Sequence, residues 1–81
     1  MPNPFRERVW RRAHNGGWRE ELHQSDENWF VGYLQGPTGE PEIIQEGTHR
    51  DQVAHAVRSR LLAVGHGCDG RCGPLHEVGI G

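Results

Sequence analysis

Four side chains able to ligate a transition metal fall close together near the end of the chain: His66, Cys68, Cys72 and His76, within the stretch GHGCDGRCGPLH at residues 65–76. Zinc takes thiolates and imidazoles in a tetrahedron, and the three-residue gaps from Cys68 to Cys72 and from Cys72 to His76 lie within the usual ligand spacing. Only Gly67 separates His66 from Cys68, so these two reach one ion from an extended backbone, which the glycines at 65, 67, 70 and 73 permit. Two thiolates and two imidazoles leave no position for an activated water, so the cofactor expected here is structural zinc. The same residues also fit two free thiols and two solvated histidines on a glycine-rich turn, or a Cys68–Cys72 disulfide. They do not fit a thioredoxin-type pair, which has two residues between its cysteines and not three.

A second constellation lies at the other end, where Arg8, Arg11 and Arg12 surround Trp10. Guanidinium and indole groups dominate interface hot spots, which makes Arg8, Trp10, Arg11 and Arg12 the candidate partner-binding residues. Residues 1–15 carry four arginines and one glutamate, a balance of +3; residues 16–81 carry five arginines and ten acids, a balance of −5. An acidic remainder repels phosphate, so a protein partner is expected, with nucleic acid as the alternative. A weaker basic set, His49, Arg50, His55, Arg58 and Arg60, lies further along.

Catalytic signatures are sparse. Glycine-rich phosphate loops and G-x-S-x-G elbows are missing from the sequence, and its only serines are Ser25 and Ser59. Glu20 and Glu21 are adjacent, so on a strand they point to opposite faces and do not pair as acid and base. The expected protein is not an enzyme.

The elements that must position these groups follow from local pattern. Asn3-Pro4 resembles a helix start and Asn15-Gly16-Gly17 a stop, and Phe5, Val9 and Ala13 fall four apart, predicting a short helix from about residue 4 to 13. Alternation from Trp18 to His23, the aromatic and β-branched run Trp29 to Leu34, and Glu42 to Glu46 predict three strands, with either Ile43 or Ile44 facing inward. Thr48 and Asp51 suggest the start of a second helix, whose Val53, Val57, Leu61 and Val64 share a face and which Gly65 stops. Leu75, Val78 and Ile80 leave room for a short strand in the tail. The expected fold class is α+β: a short N-terminal helix, a three-stranded antiparallel β-meander, a packed C-terminal helix and a Cys/His tail. It forms one domain, with a basic helical arm at 1–16, a β-β-β-α core at 17–65 and the tail at 66–81.

That order of elements resembles the double-stranded RNA-binding domains, with EGTHRDQVAHAVRSRLL standing where that family begins its second helix. The resemblance is topological, and where the family carries a lysine cluster for phosphates this chain has His49, Arg50 and Asp51.

With 81 residues, 33% of them apolar, and with 12 glycines and 5 prolines, the chain buries a small core and gains from a staple or a partner. The longest apolar run is Leu61 to Val64 and the N-terminus lacks a signal-peptide pattern, so a soluble, cytoplasmic protein is expected. All nine basic residues are arginine, a bias typical of GC-rich genomes. These features together predict a small non-catalytic protein-binding module, an adaptor, inhibitor or accessory subunit of phage or plasmid type, with a nucleic-acid-binding regulator as the alternative.

Overall fold

Arg11 and Arg12 precede Asn15-Gly16-Gly17 by the same spacing at which Glu21 and Glu20 follow it, so folding back at this turn sets each cation opposite an anion. The computed structural model, which describes residues 6–65 and 75–78, has that hairpin. Strand β1 (Arg8–Ala13) pairs antiparallel with β2 (Arg19–Asp26), placing Arg12 opposite Glu20 and Arg11 opposite Glu21. A one-turn 3-10 helix, Asn15–Gly17, joins them, with Gly16 and Gly17 at φ of 74° and 83°, values that residues other than glycine rarely adopt.

The N-terminal helix expected over residues 4–13 is thus overturned. Arg8–Ala13 is a strand, and residues 4 and 5 lie outside the described residues. The four-residue spacing of Val9 and Ala13 was outweighed by cross-strand charge pairing and by the β-forming character of Val9 and Trp10. The resemblance to double-stranded RNA-binding domains, which needs that helix, does not survive.

β2 turns at Glu27-Asn28 into β3 (Trp29–Gln35), and β3 pairs antiparallel with β4 (Glu42–Gly47). Helix α1 (Arg50–Ala63) follows. The chain then returns to the sheet as β5 (His76–Val78), antiparallel to β1 on the side away from β2. The three-stranded meander is therefore corrected to a five-stranded antiparallel sheet of order β4-β3-β2-β1-β5, and the helix is not the last element. Among the described residues one α-helix, on one sheet face, stands in place of the expected pair.

α1 lies over β3 and β4 and reaches β2. Val53, Val57 and Leu61 are its buried residues, spaced four apart as one helical face requires. Val53 joins Trp10 and Leu22, with Phe30, Ala54 and Leu75 packed around them. Val57 and Leu61 join Leu34, with Trp18 and Ile44. Gly32 allows the close approach: a Cβ there would stand 2.9 Å from Val53 Cγ1 and would overlap Val57 outright. A β-bulge between the Gly32–Gln45 and Tyr33–Ile43 pairs turns Ile44 toward the helix and leaves Ile43 52% exposed, which decides between the two isoleucines. His49, not Thr48, is the N-cap, and no side chain caps the helix; at the far end Gly65 adopts φ of 80° and its N–H bonds Leu62 O.

Candidate functional site

Because β1 is a strand, its basic residues part to two faces. Arg8, Trp10 and Arg12 share the helix-side face with Leu22 and Glu20, whereas Arg11 shares the opposite face with Glu21. Each arginine meets a carboxylate. Arg8 donates from Nε and Nη2 to the two oxygens of Glu77 at 2.9 and 2.8 Å, Arg11 Nε donates to Glu21 at 2.8 Å, and Arg12 Nε donates to Glu20 at 2.6 Å. Trp10 belongs to the core at 8% exposure, and the guanidinium groups of Arg8 and Arg50 stand 4.7 and 4.8 Å from its ring centroid.

Two further histidines complete this network. His14 Nε2 lies 2.6 Å from the same Glu20 oxygen that receives Arg12, and Glu20 is 1% exposed, so the carboxylate is buried with two partners on it. On the opposite face His23 Nε2 lies 2.8 Å from Glu21, and its ring packs on Tyr33 with centroids 4.6 Å apart. Partial burial pushes the Glu21 carboxyl up, but the hydrogen bond from His23 and the charge and hydrogen bond of Arg11 outweigh it and hold the group below the ordinary carboxylate range. Glu77 is lowered by the hydrogen bond from Arg8.

His14, Glu20, Glu21, His23 and Glu77 were not among the sequence-derived site residues. The signal that marks Glu20 and Glu21 is the charge symmetry about Asn15-Gly16-Gly17. Nothing local marks Glu77, whose partner lies 69 residues away.

The sheet face turned from α1 carries Val9, His23, Val31, Tyr33, Trp29, Ile43 and Val78 across all five strands. No described element covers it. Val31 is nevertheless 6% exposed, while Trp29 is 41% exposed and donates from Nε1 to Glu46 at 3.3 Å. No known family, characterised protein or solved structure matches this chain. The geometry of its surfaces therefore carries the functional reading alone.

Of the candidate zinc ligands, His66, Cys68 and Cys72 lie outside the described residues; His76 opens β5, exposed, opposite Arg11. Among the described residues no group of three or more His, Cys, Asp or Glu side chains is placed to hold a metal ion. Along α1, Ser59 Oγ lies 3.3 Å from His55 Nε2, but the Asp51 carboxylate one turn earlier is 98% exposed and contacts Arg50 at 3.6 Å. Asp51 and His55 border an open cleft of about 420 Å³, lined also by Gln45, Gln52 and Ala56. Among the described residues no helix is long and apolar enough to cross a membrane.

Proposed function

We propose that this protein is a small, non-catalytic, cytoplasmic protein-binding module, an adaptor, inhibitor or accessory subunit that acts by occupying another protein through the sheet face turned from α1. The observation that carries this reading is the combination of Trp29, Tyr33 and Ile43 on a face that no described element covers, with Trp29 and Ile43 41% and 52% exposed. Large apolar and aromatic side chains grouped on one surface mark protein contacts more than scattered ones do.

Charge favours a protein over a phosphate backbone. On this face Arg11 is matched by Glu21, and Glu46 lies beside Trp29, so the surface is close to neutral. Arg8 and Arg12 on the other face are held by Glu77 and Glu20. Structural zinc on His66, Cys68, Cys72 and His76 belongs to the same proposal, supported by the ligand spacing in the sequence; it would fasten the segment between α1 and β5.

Heparin retention and a labelled-duplex titration across a salt series test the reading. Free passage over heparin at about 150 mM salt and no saturable duplex binding are expected. Duplex affinity that falls linearly in log–log with salt would assign the protein to the nucleic-acid alternative, with exposed Arg58 and Arg60 of α1 as the first residues to change.

A further inference from the structure

Among the described residues, the outer edge of β1 is paired by β5. β1 runs from Arg8 to Ala13, and the described residues of β5 pair with Val9, Trp10 and Arg11. Three features of this edge strip read the segment lying on it. Leu75 packs against the Trp10, Leu22 and Val53 cluster; Glu77, two residues on, receives both donors of the Arg8 fork; Val78 stands opposite Val9 on the other face. Leu75 and Glu77 point to the helix side while His76 and Val78 point away, as the period of a strand requires.

Without zinc on His76, the described contacts hold β5 only slightly. Its ladder is three residues long, Leu75 is only partly buried, and the Arg8–Glu77 pair is 50% and 47% exposed on its two sides. A short edge strand fastened by an exposed ion pair opens at low cost compared with the core. The strip beneath it does not depend on β5: Trp10 is fixed in the core, and Arg8 and Arg50 stand over its ring.

We propose that the outer edge of β1 binds an extended acidic segment of a partner protein, of the pattern aliphatic-x-Glu-aliphatic, and that residues 75–78 occupy this site as an internal competitor. Affinity comes from backbone pairing along β1, and selectivity from the Arg8 fork and the apolar seat beside Trp10. This goes beyond the sheet-face reading and uses a different surface, so either can fail without the other.

The experiment uses the chain with a labelled synthetic peptide of residues 74–81 as probe, read by fluorescence anisotropy. Glu77→Arg sets two cations against each other and loosens the internal strand, so this variant should bind the peptide at least about tenfold more tightly than the parent. Glu77→Gln should fall between them, and it keeps the comparison valid where Glu77→Arg folds poorly by circular dichroism. An Arg8→Glu chain should invert the preference, binding a peptide with arginine in place of its glutamate better than the native peptide. Equal affinity of parent and both Glu77 variants, or no inversion with Arg8→Glu, would overturn the proposal. A concentration-dependent dimer of the parent that Glu77→Arg abolishes would also overturn it, by assigning the strip to a second copy of the chain.

Discussion

Arg12 donates from Nε to Oε1 of Glu20 across the β1–β2 hairpin at 2.6 Å, with the two side chains 13% and 2% exposed. His14 reaches the same oxygen at 2.6 Å. Removing the carboxylate would take from the Arg12 guanidinium and the His14 ring the buried acceptor they share, and breaking a buried ion pair typically costs about 3–5 kcal/mol. Glu20→Ala should therefore lower the urea midpoint severely, while Arg19→Ala, at an exposed neighbouring position, should change it by less than about 0.5 kcal/mol. Equal effects would mean that the buried pair contributes nothing to stability.

The same pair shows what the sequence made legible. Helix α1 could be read because its apolar side chains keep one period over three turns and glycine follows them, and Val53, Val57 and Leu61 are its buried face. β1 could not be read from its apolar spacing, since Val9 and Ala13 suit a helix as well as a strand; the deciding pattern was charge, mirrored about Asn15-Gly16-Gly17. The Arg8–Glu77 contact joins chain ends, and no local pattern encodes it. Arg8, Arg11 and Arg12 were legible as a group, but their division between two faces follows only once the backbone is known to be extended.

Packing of α1 on the sheet depends on both size and shape. Leu61 is fully buried against Leu34 and Val57, so Leu61→Ala should cost about 2–5 kcal/mol. Gly32→Ala adds a methyl where Val57 and Val53 already stand, and should cost about 1–3 kcal/mol by overpacking. Chemical denaturation checks both, and a neutral Gly32→Ala would show that α1 sits further from β3 than described.

Stability should fall in acid partly through Glu21. Its folded carboxyl titrates below the ordinary value of 4.5, so the group favours the folded state above that pH, and the contribution is lost as pH falls through the folded value. The difference in unfolding free energy between parent and Glu21→Gln should therefore be largest at neutral pH, at about 1 kcal/mol or less, and should vanish in strong acid. A difference that grows as the pH drops below 4.5 would reverse the assigned sign.

Zinc should co-purify near stoichiometry with untagged protein and leave with a strong chelator, lowering the melting temperature. Cys68→Ser should reproduce that loss, since structural zinc contributes roughly 10 kcal/mol or more of apparent binding energy to small domains. Protein that purifies without zinc, with Cys68→Ser melting like the parent, would leave two thiols and two histidines on a glycine-rich segment.

The sheet face turned from α1 is the centre of this account, and the affinity of a partner recovered on the immobilised chain tests it most directly. Trp29 and Ile43 are exposed and belong to neither core cluster, so the double variant Trp29→Ser, Ile43→Ser should keep its fold by circular dichroism. Loss of two central apolar contacts typically costs about 2 kcal/mol or more, so partner affinity should fall by a factor of roughly 30 or greater. Parental affinity in the folded double variant would contradict the sheet face as the binding surface.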